Sequence, residues 1–107
     1  MAIAAHFINK ANPETRERYE AAFRQLEELE ANRPDGWLSH TSWMVGDQLH
    51  VLDVWESQDK LDAFFAETLG QLITDFGFEL VQPPQIGDVV QVLLPSNPDT
   101  SILNKRA

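Results

Sequence analysis

The 107 residues, 43% hydrophobic and 23% charged, have the composition of one small globular domain and exclude a fibrous or wholly disordered chain. A formal net charge of −9 with eight scattered basic residues argues against nucleic-acid binding, because phosphate contacts require clustered lysine and arginine. The absence of cysteine excludes disulfides and thiolate chemistry. With no apolar run long enough for a membrane span and no secretory pattern, we expect a cytoplasmic protein.

The chain opens with an apolar stretch, residues 2–9, that predicts a first strand. Asn12 and Pro13 follow, a pair typical of a helix start. Apolar residues then recur at helical spacing: Tyr19, Ala22, Phe23, Leu26 and Leu29. This spacing predicts an amphipathic helix with an acidic solvent face, ending near Asn32 before the turn at 33–36.

The middle of the chain is extended on both sides of a Gly46-Asp47 break. Residues 37–45 and 48–56 therefore predict a β-hairpin with a two-residue, glycine-led turn. Ser57 can cap a second helix, predicted over 58–76 and ending at Gly77. Its apolar stripe comprises Leu61, Phe64, Phe65, Leu69, Leu72, Ile73 and Phe76.

Residues 89–94 are rich in branched side chains and predict a last strand. The element order predicts an α+β, ferredoxin-like βαββαβ fold with two helices on one face of a four-stranded antiparallel sheet. We expect one domain over residues 1–94 and a C-terminal tail over 95–107. Because the hairpin is apolar on both faces and the helices cover only one, we also expect a homodimer.

The hairpin register indicates one candidate acid-base pair. With Gly46 and Asp47 as the turn, His40 lies directly across from Asp53. A carboxylate beside an imidazole fixes its tautomer and raises its basicity, as a general base requires. The alternative is a purely structural hydrogen-bonded pair, the more usual role of partnered polar groups near a core.

Other candidate residues have weaker patterns. The register pairs Trp43 with His50 on the opposite face, which indicates an aromatic contact at a dimer interface or, as the alternative, contact with a ligand. His6 can line a cavity or belong to the core, and Phe64 and Phe65 can form core or a pocket wall. The three histidines lack metal-ligand spacing, and no phosphate loop or serine-nucleophile motif is present. We therefore predict no metal and no cofactor.

Three segments, 36–40, 53–57 and 61–65, resemble the dimeric α+β-barrel superfamily, in particular a small-protein branch of its antibiotic-biosynthesis monooxygenase-like members. The first is Gly-Trp-Leu-Ser-His, the second Asp-Val-Trp-Glu-Ser and the third Leu-Asp-Ala-Phe-Phe. The resemblance covers about residues 2–94 by pattern. It implies a ferredoxin-like fold, a dimer whose sheets pack face to face, and a pocket between the sheet and the helices.

The resemblance also bears on activity. Monooxygenases of this superfamily oxidise electron-rich phenolic substrates with dioxygen and without metal or flavin. Haem-degrading members use a first-strand Asn and a Trp and a His on the second helix; the matching helix positions here are Phe64 and Thr74, and the first-strand position falls near His6 or Phe7. Haem degradation is therefore disfavoured. Cyclase-like members place a histidine on the second helix, which has none here.

We accordingly expect a cofactor-independent monooxygenase, or a cyclase or isomerase, acting on a small aromatic or polyketide-like substrate. His40 would act as the base and Asp53 would orient it. The expected substrate-binding residues are Trp55, Phe64, His6, Ser42 and Phe65. The alternative is a non-catalytic dimeric module whose pocket holds a ligand or is filled by its own side chains.

Overall fold

The computed structural model describes residues 1–11, 19–22, 24–25, 27–28, 33–71 and 79–93. These ranges contain four strands: β1 (Ile3–Lys10), β2 (Trp37–Val45), β3 (Gln48–Trp55) and β4 (Gln85–Asp88). The described helical residues within 19–28 belong to a first helix, α1, and the second helix, α2, spans Gln58–Phe64. None of the helices in these ranges is long and apolar enough to cross a membrane.

The four strands form one antiparallel sheet in the order β2-β3-β1-β4. This is the strand order of a ferredoxin-like fold, so the predicted α+β class is confirmed. Burial alternates along β1: Ile3, Ala5, Phe7 and Asn9 are buried, and the intervening residues are only partly so. We call the side of the sheet that carries these four residues the helix face, and the opposite side, which carries His6, the outer face.

Both helices pack on the helix face. Leu61 and Phe64 of α2 join Ile3, Ala5, Phe7 and Trp55 in the main apolar cluster. From α1, Tyr19 packs with Leu49 and Ala11, and its hydroxyl donates a hydrogen bond to the carbonyl oxygen of Lys10. The core therefore lies between the sheet and the helices, and the described helical residues leave the outer face without a helical layer.

Helix α2 begins where the sequence predicts. The Ser57 hydroxyl accepts a hydrogen bond from the Lys60 amide at 3.3 Å, the expected N-cap interaction. After Phe64 the helix continues as a π-helical turn over Phe65–Leu69, in which the Gly70 amide bonds to the Phe65 carbonyl. Phe65 is 40% exposed, so the predicted apolar stripe of α2 is wrong at this position. The predicted stripe beyond Gln71 lies outside the described residues, as do the predicted start and end of α1.

The hairpin has the predicted register. Val45 pairs with Gln48, Trp43 with His50 and His40 with Asp53, and Gly46 in the turn has a φ of +58°. Nearer the start of β2 an irregularity between Trp37 and Ser39 shifts the pairing, so Trp37 rather than Leu38 lies opposite Trp55. Such a bulge changes which side chain joins the helix face.

The predicted last strand at 89–94 is wrong. The strand that pairs with β1 is Gln85–Asp88, and residues 89–93 are not in a strand. Asp88 already pairs with Ile3, and the Val89 amide reaches the Ala2 carbonyl at 2.9 Å, so β1 has almost no edge left to pair. The branched side chains of residues 89–94 indicated a strand there. The position of the strand is instead limited by the extent of its partner, β1.

A small ion-pair network holds the turn before β2 against α2. The Lys60 ammonium lies 2.8 Å from Glu56 Oε2 and 3.2 Å from Asp35 Oδ1. Hydrogen bonds to Glu56 first, and to Asp35, raise the pKa of Lys60 above its usual value. Gly36, with a φ of +86°, packs against the aliphatic stem of Lys60. This network ties the start of β2 to the end of β3.

Candidate functional site

The hairpin places an imidazole and a carboxylate side by side on the helix face. His40 Nδ1 lies 2.6 Å from Asp53 Oδ1. The Asp53 side chain is only 7% exposed, whereas that of His40 is 20% exposed. An ionised carboxylate can only accept hydrogen bonds. The neutral His40 imidazole therefore carries its proton on Nδ1 and donates it to Asp53. The lone pair of His40 then lies on Nε2.

His40 Nε2 has the geometry of an available base. It has no hydrogen-bond partner in the described part of the chain, and its ring retains access to solvent. Trp37 lies edge-on to this ring, with centroids 6.1 Å apart and an interplanar angle of 71°. The Trp37 indole is held by a 3.2 Å hydrogen bond from Nε1 to the Ser39 carbonyl. His40 therefore lies beside an aromatic ring whose position is fixed by this hydrogen bond.

Trp55 lies in the same face two residues along β3. It is fully buried, pairs with Ile3 and Trp37 across the neighbouring strands, and packs on Phe64 with ring centroids 5.1 Å apart. Its Nε1 is buried without a hydrogen-bond partner among the described residues. A buried donor left unpaired costs about 1–3 kcal/mol, and such groups call for a physical explanation. An oxygen-bearing ligand or a water that reaches this donor would remove that cost.

The structure brings together most, but not all, of the residues that the sequence suggested. His40, Asp53, Trp55 and Phe64 share the helix face with its core. Ser42, two residues along β2 from His40, also lies on this face, opposite Val51. Phe65 is exposed on the π-helical turn and is not part of the core cluster. His6 lies on the outer face, away from the His40–Asp53 pair.

The outer face carries a second cluster, which the sequence revealed only in part. His6 Nε2 lies 2.9 Å from His50 Nδ1. Trp43 stacks against both imidazoles, with centroids 5.6 Å from His6 and 5.2 Å from His50. The hairpin register predicted the contact of Trp43 with His50. The sequence did not predict the contact with His6, because that contact depends on how β1 pairs with β3. The one sequence signal for it is that His6 alternates along β1 with the buried residues of the helix face.

No three histidine, aspartate or glutamate side chains come together as a metal-ligand set within the described ranges. The predicted absence of metal and cofactor stays a prediction. What the helix face does supply is a buried carboxylate, an oriented imidazole and the aromatic rings of Trp37, Trp55 and Phe64. This combination can move a proton beside a planar apolar ligand.

The sequence matches no protein-family model, and no curated protein matches it. Solved structures do share its fold. One is a variant of SnoaB, a cofactor-independent oxygenase from Streptomyces nogalater, with 15% identity, a TM-score of 0.66, and coverage of 86% of this chain and 96% of that one. Another is NE2512, a protein of unknown function from Nitrosomonas europaea, with 17% identity, a TM-score of 0.67, and coverage of 90% and 96%.

A third is a candidate antibiotic biosynthesis monooxygenase from Caulobacter crescentus CB15, with 18% identity, a TM-score of 0.65, and coverage of 86% of this chain and 91% of that one. At these identities the likeness establishes the fold alone. The chain has the ferredoxin-like α+β fold of antibiotic-biosynthesis monooxygenase-like proteins, and the resemblance noted from its sequence is confirmed at that level. Because one fold can host many functions, activity must be argued from the site.

Proposed function

We propose that the protein is a cofactor-independent, monooxygenase-like enzyme of small aromatic or polyketide-like substrates, with His40 as its general base. One observation carries the proposal: the 2.6 Å contact between His40 Nδ1 and Asp53, which leaves Nε2 without a partner among the described residues and beside the Trp37 ring. The occurrence of a cofactor-independent oxygenase among proteins of this fold supports the reaction class.

The proposed chemistry begins with proton transfer. His40 Nε2 takes the proton of a phenolic hydroxyl, and the buried Asp53 carboxylate stabilises the imidazolium that forms. The electron-rich phenolate then reduces dioxygen. Overall, a phenol and O₂ give a quinone and water: one oxygen atom enters the ring as a carbonyl, and the other leaves as water with two hydrogens from the substrate. Dioxygen is the oxidant, so the electrons balance without a bound redox group.

A cyclase or isomerase would use the same base on a proton next to a carbonyl group but would consume no oxygen. Oxygen uptake therefore separates these two reactions. A non-catalytic binding module is favoured by a different observation: Trp55 is fully buried and Phe64 is 9% exposed, so their side chains already fill part of the interior. In that case the His40–Asp53 pair serves stability alone.

The test combines ligand binding with turnover. The three histidines are followed by NMR while phenolic and hydroxyanthrone compounds are added, and compounds that shift His40 are assayed for oxygen uptake and quinone absorbance. We expect His40→Gln to lower kcat/KM by about 100-fold or more, the usual contribution of a general base. Asp53→Asn should lower it too, because the amide cannot stabilise the imidazolium.

Asp47→Asn is the matched control for the second variant, since Asp47 is an exposed turn residue. It should retain the wild-type rate. Turnover that survives His40→Gln would refute the assignment of the base. If no compound shifts His40 and none is oxidised, the binding-module alternative is the better explanation.

We also propose that the protein is a homodimer that associates through the outer face. Trp43, Val45 and Leu52 on this face are 39%, 52% and 37% exposed. The charged groups on its described part are Lys10 and Glu79, which pair with each other at 3.2 Å at one end. In a chain of net charge −9, a face with few charges, which compensate each other, is where two copies can meet with least repulsion. A cytoplasmic location and the lack of nucleic-acid binding stay predictions.

A further inference from the structure

We infer that the His6–His50 pair makes association through the outer face dependent on pH, so that two copies separate as the solution becomes acidic. The inference rests on the homodimer proposed above. It concerns a cluster that the proposed catalytic chemistry does not use, because His6, His50 and Trp43 lie on the opposite side of the sheet from His40.

The contacts of the pair define its proton positions. His50 Nε2 lies 3.3 Å from Gln48 Oε1, an acceptor, so this nitrogen carries the proton of the neutral ring. His50 Nδ1 is then the acceptor in the 2.9 Å contact, and His6 Nε2 donates to it. Trp43 stacks on both rings and restricts their movement. The pair is therefore a directed hydrogen bond between two neutral imidazoles.

Proton uptake changes this bond in two steps. A first proton can enter at His6 Nδ1 and leave the donor in place. A second proton must enter at His50 Nδ1, where it removes the acceptor and sets two positive rings against each other. Histidine is the side chain whose ordinary charge change falls between about pH 5 and about pH 8.

Covering the outer face would couple these steps to association. Both imidazoles are partly exposed in the single subunit, where water can solvate their charged forms. A second copy packed on this face would exclude that water, and burial disfavours the protonated form of histidine. The dimer would therefore bind fewer protons than two separate subunits. The sign follows: association weakens as pH falls and protons are taken up.

Neighbouring charges offer the pair little compensation. On β1 the outer face also carries Lys10, which is paired with Glu79 from the segment beside it. The outer-facing residues of β2, β3 and β4 are otherwise uncharged: Ser39, Thr41, Trp43, Val45, Gln48, Leu52, Val54, Gln85 and Gly87. Asp53 and Asp88 face the helix side. Within the described residues, no carboxylate adjoins His6 or His50 to stabilise an imidazolium.

The test is sedimentation equilibrium of the full chain over a concentration series at about pH 7.5 and about pH 5.5, with circular dichroism to verify folding at both. We expect the dimer dissociation constant to be at least about 10-fold higher at the lower pH, since each excluded proton contributes up to tenfold per pH unit. A variant with both His6→Gln and His50→Asn keeps an amide donor and an amide acceptor but cannot titrate. Its dissociation constant should not change with pH.

His40→Gln is the matched control, because it removes a histidine from the other face. It should retain the pH dependence of the wild type. If the double variant does not fold, His6→Gln alone should reduce the pH dependence by roughly half on a logarithmic scale, one of two imidazoles being lost. A dimer whose affinity is the same at both pH values, or a double variant that still responds, would overturn the inference. A monomer at both pH values would overturn the homodimer itself.

Discussion

Removing only one member of the His40–Asp53 pair costs more stability than removing both. Asp53 is a buried carboxylate hydrogen-bonded to His40, and removing the imidazole would leave that acceptor unpaired. A buried group without its partner costs its full desolvation, whereas replacing both partners with apolar groups can be nearly neutral. The stability of the pair is therefore strongly non-additive, whatever its part in catalysis.

A double-mutant cycle tests this non-additivity. His40→Ala should lower the free energy of unfolding by about 2–3 kcal/mol, and the double variant His40→Ala/Asp53→Ala should lower it by less than the single change does. Urea denaturation measures both. Lys10→Ala is the control at the exposed Lys10–Glu79 pair and should cost under about 1 kcal/mol. Equal losses in the single and double His40 variants would show that Asp53 finds another partner.

Two turn glycines allow two energetic costs to be measured separately: that of a left-handed backbone and that of crowding a neighbouring side chain. Gly36 and Gly46 both have positive φ, +86° and +58°. A Cβ at Gly46 would meet nothing within 4 Å, but one at Gly36 would come within 2.9 Å of Lys60 Cβ. Lys60 is held by Glu56 and Asp35 and cannot move aside without breaking those contacts.

We therefore expect Gly36→Ala to destabilise the protein more than Gly46→Ala does. Gly46→Ala should cost about 1–2 kcal/mol for the left-handed backbone alone. Gly36→Ala should cost roughly a further 1–3 kcal/mol, the usual range for overpacking. Thermal or urea denaturation of the two variants gives the difference. Adding Lys60→Ala should recover part of the loss at Gly36 and none at Gly46; equal costs at the two positions would refute the role of Lys60.

The sequence predicted the features that depend on neighbouring residues and missed those that depend on pairing between distant segments. The hairpin register followed from the turn residues, and with it the His40–Asp53 pair, because a two-residue turn fixes which residues face each other. The position of β4 did not follow, because it depends on where β1 begins. The contact of His6 with His50 also depends on pairing between strands distant in sequence. Nothing in the local pattern near Leu38 indicated the bulge that brings Trp37 opposite Trp55.

At the scale of the whole molecule, one sheet carries two histidine clusters with different surroundings. Alternation along β2 and β3 sends His40 and Asp53 to the helix face and Trp43 and His50 to the outer face. The first imidazole has a buried carboxylate for a partner, which fixes the proton of the neutral ring on Nδ1. The second has another imidazole for a partner and no adjoining carboxylate among the described residues, so a charge there is unsupported. The fold thus separates the proposed catalytic proton transfer from the proposed control of association.

The net charge of the chain affects how strongly two copies associate. Each copy carries −9, so two copies repel at long range even though their outer faces have few charges. Salt screens this repulsion, with a Debye length of about 30 Å at about 0.01 M and about 8 Å at about 0.15 M. We therefore expect the dimer dissociation constant at about pH 7.5 to fall severalfold as NaCl rises over this range, measured by sedimentation equilibrium. The variant carrying His6→Gln and His50→Asn should show the same salt response. A dissociation constant that rises with salt would instead place ion pairs across the interface, contrary to an apolar outer face.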